Sequence, residues 1–327
     1  MSYGFRPNLR THDAVAEVRY LTSRSYEWIV EGDIAACFDE ISHPALLDRV
    51  RQRVGDKRVL ALVKAFLKAG ILTRDGSQRD TKTGTPQGGI LSPLLSNVAL
   101  SVLDEHFANA PGGPRSNDTE RRKRRRHGLP NHRLVRYADD WCLVISGTQE
   151  HAENLREQAA EVLSPMGLRL SPDKTLITHI DKGLDFLGWR IQRHRKRGAT
   201  KHYVYTYPAK KALRAVMAKV KIVCRQNTNL PWDALLHQLN RMLRGWTAYF
   251  KHGCSSATFG YLRAYLWTQV IRWETRKHRR STWRQLRCRY GRWPATGSVE
   301  LFDPVKVRTE WYVYRGARIP SPWPKTA

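Results

Sequence analysis

The spacing of hydrophobic and polar residues changes along the chain. Up to residue 208, short apolar runs of period 2 are interleaved with stretches whose apolar positions recur every three to four residues. After Pro208 only the longer period remains. Period 2 is typical of strands and period 3.6 of helices. We therefore predict an α+β domain over residues 1–208, a helical domain over residues 209–280 and a basic tail over residues 281–327.

Apolar stripes at helical spacing define the predicted helices. The first follows Thr11, which we expect to cap it, and another passes through residues 94–103 after the glycine-rich loop 82–93. A loop of this kind lets a substrate approach the backbone at a helix start. The remaining predicted helices cover residues 44–54, 57–69, 150–163, 210–225, 232–250 and 258–278.

β-Branched and aromatic residues in short runs define the predicted strands. One covers residues 28–34, and a β-hairpin covers residues 134–145. Three further strands are predicted: one ends at Ile180, the second covers residues 185–191 and the third covers residues 203–207. A basic turn over residues 194–201 lies between the last two.

Aspartates stand at the ends of two of these predicted strands. Asp139 and Asp140 occupy the turn of the hairpin, where Asp is common because it bonds its own backbone. Asp33 follows the first strand, and neighbouring strands could hold it beside the other two. Three close carboxylates repel one another unless a cation lies between them. Two Mg²⁺ ions held in this way catalyse in-line phosphoryl displacement, so the pattern indicates nucleotidyl transfer.

The charge of the chain points to a polyanionic partner. The formal net charge is +28, and residues 210–327 contain 24 Lys and Arg against 5 Asp and Glu. Eight of the eleven tryptophans also lie there, and basic side chains interleaved with aromatic ones suit phosphate contacts and base stacking. No apolar run has the length of a membrane span, and no signal peptide is evident, so we expect a cytoplasmic protein without membrane contact.

Two further features leave more than one interpretation open. The five cysteines are scattered and indicate neither a disulfide framework nor a zinc site, so they are interpreted as packing residues or incidental thiols. The polar segment 111–130, with its basic run 121–126, is expected to be a solvated loop. This loop either has no dedicated role or contacts nucleic acid.

Six sequence blocks occur in the order found in one family. They are YGFRP at 3–7, GDI at 32–34 with CFD at 37–39, GTPQGG at 84–89, YADD at 137–140, SPDKT at 171–175 and FLGW at 186–189. With these blocks the chain resembles the reverse transcriptase and maturase proteins encoded by bacterial group II introns. The segment RGWTAYF at 244–250 resembles the maturase domain of that family, which also serves as the polymerase thumb.

The resemblance implies a fold and a set of site residues. The fold would be a right-hand polymerase palm, an antiparallel sheet with packed helices and incomplete fingers, followed by a helical thumb and maturase domain. Asp33, Asp139 and Asp140 would bind two Mg²⁺ ions, with Asp33 and Asp139 as the principal ligands. The nucleotide pocket would include Ile34, Phe38 and Gln87. Of these, Phe38 would select dNTPs through a clash with a 2′-hydroxyl.

Two implied roles compete with simpler ones. Lys174 would protonate the pyrophosphate leaving group, although a plain surface lysine is an equal alternative. The primer grip would be formed by Phe186, Leu187, Gly188 and Trp189. For the three large side chains among them, ordinary strand packing is the alternative.

The resemblance also implies partners and shows two departures. The partners would be group II intron RNA, a DNA primer or target, and dNTPs, while protein partners are not indicated. Family members carry a fingers segment with basic residues before the first block, and this sequence has none of it. Some members end in an HNH endonuclease with paired cysteines. The tail here lacks those cysteines, so we expect no DNA-cleaving domain. The leading hypothesis is an RNA-directed DNA polymerase that assists splicing and mobility of the intron. One alternative is an RNA-binding maturase without catalysis, because the missing fingers would weaken electrostatic stabilisation of the developing negative charge. The other is a related reverse transcriptase in phage defence.

Overall fold

The computed structural model describes residues 2–72, 78–79, 83–86, 89–196, 198–226, 228–278, 282, 284–285, 288, 293–296 and 299–319. The chain forms two compact units. Unit 1 contains the residues up to 187, residues 195–204 and the segment from residue 314 onward, and unit 2 contains residues 188–194 and 205–313. The boundary expected at residue 208 from the sequence stays a prediction, and much of the tail from residue 281 lies outside the described residues.

Helices and strands alternate in unit 1 and helices dominate unit 2. The helices are α1 Thr11–Thr22, α2 Cys37–Glu40, α3 His43–Arg51, α4 Lys57–Lys68, α5 Ser92–Asn109, α6 Asp118–Arg126, α7 Gln149–Leu163, α8 Lys210–Gln226, α9 Trp232–Phe250 and α10 Ser256–Lys277. The strands are β1 Trp28–Gly32, β2 Ile71–Leu72, β3 Gln78–Arg79, β4 Asn131–Tyr137, β5 Asp140–Ser146, β6 Leu176–His179, β7 Leu184–Phe186, β8 Trp189–Arg195, β9 His202–Pro208, β10 Ala295–Thr296 and β11 Val299–Glu300.

A four-stranded antiparallel sheet organises unit 1. Its strand order is β4-β5-β1-β6, so the predicted hairpin β4–β5 lies beside the strand that ends near Asp33. Apolar residues of β1 and β5 pack on one face against α3, α5 and α7 in a continuous core. Helix α1 packs against β4 and β5. The antiparallel sheet with packed helices confirms the predicted α+β class.

Three local predictions were wrong. The segment expected to be a loop contains the helix α6, which has no buried residue. Thr11 is the first helical residue of α1, and Asp13 Oδ2 accepts the hydrogen bond from the backbone N–H of Arg10, the N-cap residue, at 2.9 Å. The single strand expected over 185–191 is divided into β7 and β8. Leu187 and Gly188 connect the two strands, and their φ values of 51° and 81° are those that a tight turn requires.

Unit 2 is built around the packed faces of α8, α9 and α10. The predicted apolar stripes form its core, in which Leu239, Leu266 and Trp273 are fully buried. Asn240 on α9 attaches the hairpin β10–β11 and the residues after it. Its Nδ2 donates to the carbonyl of Glu300 at 2.8 Å, and its Oδ1 accepts from the backbone N–H of Phe302 at 2.7 Å. Among the described residues, no helix is long and apolar enough to cross a membrane.

Candidate active site

The ends of β1 and β5 bring the predicted aspartates together. Gly32, the last residue of β1, pairs with Trp141 in β5, and the strands are antiparallel. Asp33 therefore leaves the sheet at the same edge where the β4–β5 turn presents Asp139 and where Asp140 begins β5. The turn contains Ala138 in the left-handed region, with φ 58°. Both Asp33 and Asp139 are half-buried, whereas Asp140 is exposed.

The charges of these carboxylates contribute to the raised pKa values of two buried thiols. Burial raises the pKa of Cys37 to about 12, and the negative charges of Asp139 and Asp33 contribute to the increase. Burial also raises the pKa of Cys142, to which the charges of Glu31 and, more weakly, Asp140 contribute. Asp33 and Asp139 thus share one electrostatic environment around Cys37. Asp140, which begins β5 and is exposed, contributes to the raised pKa of the other thiol, and its place in the site stays a prediction.

A lysine reaches the first of these carboxylates. Lys174 Nζ lies 3.4 Å from Asp33 Oδ2. The turn that carries Lys174 is fixed to the end of β1, because the backbone N–H of Ser171 donates to the carbonyl of Asp33 at 2.8 Å. Lys174 is 71% exposed, so its ammonium group can exchange this carboxylate for another anion at little cost.

Arg136, which the sequence reasoning missed, fixes the aspartate turn. This side chain belongs to the edge strand β4 and is 1% exposed. Its Nη1 donates to the Ala138 carbonyl and to Asn97 Oδ1 of α5, both at 2.9 Å, and its Nε donates to Asp104 Oδ2 at 3.0 Å. A charged residue flanked by apolar ones in a predicted strand is the signal that could have indicated it.

The N-terminal segment adds a second support to the same turn. The backbone N–H of Tyr3 donates to the carbonyl of Arg136 at 2.7 Å. Asn97 Nδ2 donates to the carbonyl of Gly4 at 2.9 Å. The YGFRP block is therefore part of the scaffold that holds Asp139, which gives this sequence block a physical role.

The glycine-rich loop packs against α2, which carries Phe38. The backbone N–H of Thr85 donates to the Phe38 carbonyl at 2.6 Å, and that of Gly84 donates to the Ile41 carbonyl at 2.8 Å. A Cβ on Gly84, where φ is 81°, would lie 2.5 Å from the carbonyl oxygen of Phe38. Phe38 is half-buried. Gln87, predicted to line the nucleotide pocket, lies outside the described residues.

Three of the other predicted site residues, Ile34, Phe186 and Trp189, are buried. Ile34 is 7% exposed, and its side chain packs in the core of unit 1. Phe186 is 3% exposed, and Leu187 and Gly188 form the turn between β7 and β8. Trp189 is fully buried and packs against Phe250 of α9 with ring centroids 5.0 Å apart. The burial of Phe186 and Trp189 shows that both side chains are packed in the protein. The primer grip stays a prediction.

Comparison with known families and proteins identifies the family to which the chain belongs. The model of the family "Reverse transcriptase (RNA-dependent DNA polymerase)" matches residues 1–191. The chain belongs to the reverse transcriptase family, and its fold class is the polymerase palm followed by a helical region. A second model, "Group II intron, maturase-specific domain", matches residues 213–291. Reverse transcriptases generally use divalent metal ions.

Individual relatives share part of their length with this chain. Protein YkfC of Escherichia coli K12 is 36% identical over 68% of this chain and 64% of its own length. The group II intron-encoded protein LtrA of Lactococcus lactis subsp. cremoris is 30% identical over 62% of this chain and 40% of its own length. The chain thus spans less than two thirds of these relatives. A truncated apo telomerase from Candida tropicalis overlaps 58% of this chain and 39% of its own, with 14% identity and a TM-score of 0.43.

The donor set around Asp33 and Asp139 fits a divalent cation in part. Within the described part of the chain, no group of three or more His, Cys, Asp and Glu side chains is placed to hold a metal ion. Magnesium, however, typically binds one or two carboxylates and completes its coordination with water and substrate phosphates. Two carboxylates that lie at one sheet edge, near the surface, meet that need.

Proposed function

We propose that this protein is an RNA-directed DNA polymerase. The observation that supports it most directly is the convergence of Asp33 and Asp139 at one edge of the sheet in a member of the reverse transcriptase family. These two residues, with Asp140 beside them, would hold two Mg²⁺ ions. The ions would supply charge stabilisation for the attacking and leaving oxygens.

The surrounding residues have proposed roles in handling a dNTP. Phe38 follows Asp33 by five residues, and its backbone is held against the loop 83–86 through its carbonyl. In that position it would exclude a 2′-hydroxyl, and Gln87 would line the same pocket. Lys174, exposed and 3.4 Å from Asp33, would donate a proton to the pyrophosphate leaving group.

The second part of the proposal is binding of group II intron RNA through unit 2. Two facts support it, the match to the maturase-specific domain and the excess of basic side chains after residue 210. The exposed residues Arg241 and Arg244 on α9 face a cavity of about 490 Å³ that His237 and Asn240 also line. Through this unit the protein would assist splicing and mobility of the intron.

The decisive experiment is primer extension on an RNA template with a DNA primer, dNTPs and Mg²⁺. We expect extension by the full chain, and its loss in the Asp139→Ala, Asp140→Ala double variant. Separate Asp33→Asn and Asp139→Asn variants should lose more activity than Asp140→Asn, because the first two side chains are half-buried at the sheet edge whereas Asp140 is exposed.

The control variant is Asp48→Asn, a surface change on α3 that should leave extension unchanged. Equal extension by the chain and the double variant would contradict a metal-dependent polymerase. No extension by any variant, together with RNA binding that weakens steeply with salt, would instead favour the RNA-binding maturase.

A further inference from the structure

The helix α6 separates its basic residues into two groups. Arg121 and Arg124 are half-buried and attach the helix to the chain around it. Arg121 bonds the Ser116 carbonyl and Asp118, and the Nε and Nη2 of Arg124 donate to the Pro130 carbonyl at 3.1 and 3.0 Å. These two arginines therefore have structural roles.

The other four basic residues of α6 are exposed to solvent. Arg122, Lys123, Arg125 and Arg126 are exposed, and among the described residues none of them pairs with a carboxylate within 4.0 Å. Two acids, Asp118 and Glu120, lie in the first turn of the helix; Asp118 is engaged by Arg121, whose hydrogen bond and charge lower the pKa of that carboxyl. Four exposed cations without a close ion pair in the described parts of the chain form a dense cationic surface on a helix about 13 Å long, since the two acids lie at its first turn.

We propose that this surface, the outward face of α6, binds the phosphodiester backbone of RNA. Three of the four residues are arginines, whose planar forks bind phosphate oxygens in pairs. A solvated helix without function has no need to concentrate like charges, which repel one another at i,i+3 and i,i+4 spacing. The helix is long enough to follow several consecutive phosphates of one strand.

The position of α6 separates this contact from the reacting atoms. Asn131, the first residue of β4, bonds the carbonyl of Arg121 through Nδ2 at 3.1 Å. The aspartate turn follows the other end of β4. A seven-residue strand is roughly 20 Å long. The α6 face therefore contacts RNA away from the primer end and contributes affinity without taking part in nucleotide addition.

The test is RNA binding by the full chain as a function of salt. The probe is a fluorescein-labelled RNA hairpin, and the variant carries Arg122→Gln, Lys123→Gln, Arg125→Gln and Arg126→Gln. We expect about tenfold weaker binding and a log–log salt slope smaller by about 3, since each of the four phosphate contacts contributes about 0.7 to 0.9. Helix propensity is almost unchanged by these substitutions.

A matched control removes the same charge elsewhere in unit 1. Lys57, Arg58, Lys64 and Lys68 are the exposed basic residues of α4, and their replacement by Gln should leave the slope nearly unchanged. Equal losses in both variants would overturn the proposal, because net charge alone would then explain them. An unchanged affinity of the α6 variant for RNA would overturn it as well, whether or not binding to a DNA duplex is altered.

A charge-preserving variant covers the case in which the glutamine variant does not fold. Arg122→Lys, Arg125→Lys and Arg126→Lys should keep the salt slope and weaken binding severalfold, because lysine cannot bridge two phosphate oxygens. Unchanged affinity in this variant would overturn the arginine contacts. The proposal depends on the proposed function only for the identity of the polyanion. Binding is measured without dNTPs, so a chain that binds through α6 but fails in primer extension would contradict the polymerase alone.

Discussion

Arg136 is the residue on which the geometry of the aspartate turn depends most. Its guanidinium group bonds a carbonyl within the turn and two polar side chains of α5; Arg136 is buried, and the two α5 side chains are half-buried. A buried charge with several partners holds one arrangement, since each lost partner leaves an unsatisfied group. We therefore interpret Arg136 as a positioning residue for Asp139.

Arg136→Lys tests this role at the scale of one side chain. The lysine ammonium keeps the charge opposite Asp104 but cannot also reach both Asn97 and the Ala138 carbonyl. We expect the free energy of unfolding to fall by about 1–3 kcal/mol. We expect the rate of single-nucleotide extension to fall by about 10- to 100-fold, because small displacements of reacting groups are costly. Arg133→Lys on the same strand is the control, and it should retain extension. Normal extension by Arg136→Lys would contradict the positioning role.

His132, four residues before Arg136, gives the fold a dependence on pH. Burial lowers its pKa to about 4, and the nearby positive charges of Arg133 and Arg124 act in the same direction. The ordinary pKa of histidine is near 6.5, so between pH 6.5 and 4 the unfolded chain binds a proton that the folded chain does not. The contribution of His132 to stability is thus complete above pH 6.5 and falls as the pH drops towards 4.

The expected size of this effect is about 2–3 kcal/mol. Urea unfolding followed by tryptophan fluorescence from pH 7 to pH 4 measures it. His132→Gln, which keeps a donor near the Phe107 carbonyl, should show a shallower loss of stability over the same range. Parallel pH curves for the two proteins would contradict the assignment of the proton to His132.

At the scale of elements, hydrophobic periodicity predicted what the core requires. The helices α7 to α10 and the strands β1, β4 and β5 bury apolar residues at their characteristic spacing, so their patterns were readable. The α6 segment was missed because it has no apolar face, and its helix is fixed by Asn117 as N-cap and by arginine contacts with backbone carbonyls. The β7–β8 turn was missed because Leu187 is seldom found at positive φ.

The candidate site was predictable only where chemistry and strand ends coincide. Asp33 and Asp139 follow from carboxylates placed at strand ends, as the register of β1 and β5 now explains. Asp140 begins β5 and is exposed, and its part in the site stays a prediction. Arg136 depends on partners in α5 that are distant in sequence, so no local pattern could identify them.

The contact between the glycine-rich loop and α2 makes a prediction at this scale. Gly84→Ala places a methyl group 2.5 Å from the Phe38 carbonyl oxygen at a backbone position that favours glycine. We expect a loss of about 2–4 kcal/mol in the free energy of unfolding, because both strain and overlap must be relieved. Extension should fall as well, since Phe38 is displaced with the loop.

Gly128→Ala provides the matched control. Gly128 has φ 69° and no atom within 4 Å of the position of an added Cβ, so this variant adds backbone strain without overlap. It should cost about 1 kcal/mol. If the two variants were equally destabilised in urea unfolding, the contact of Gly84 with α2 would have no energetic weight.

At the scale of the whole molecule, the chain returns to unit 1 after completing unit 2. Tyr314 stacks on Tyr20 of α1 with ring centroids 4.5 Å apart. Arg315 donates to both carboxylate oxygens of Asp13, at 2.8 and 2.6 Å, and Asp13 is 1% exposed. Residues from the far end of the sequence therefore complete the surface of the first helix. A deletion of residues 210–327, which would remove the helices of unit 2, would also remove this contact within unit 1.

The ion pair makes the last prediction, which concerns stability across the whole sequence. Arg315→Met leaves the buried carboxylate of Asp13 without its bidentate partner, and we expect a loss of about 2–3 kcal/mol, reduced from the range for fully buried pairs because Arg315 is 31% exposed. Adding Asp13→Asn to Arg315→Met should recover part of this loss, since the uncompensated charge is removed. Urea unfolding of both single variants and the double variant measures the coupling. Additive losses would mean that the two residues are independent. The loss of this ion pair would then not explain a loss of stability caused by deleting the chain from residue 210 onward.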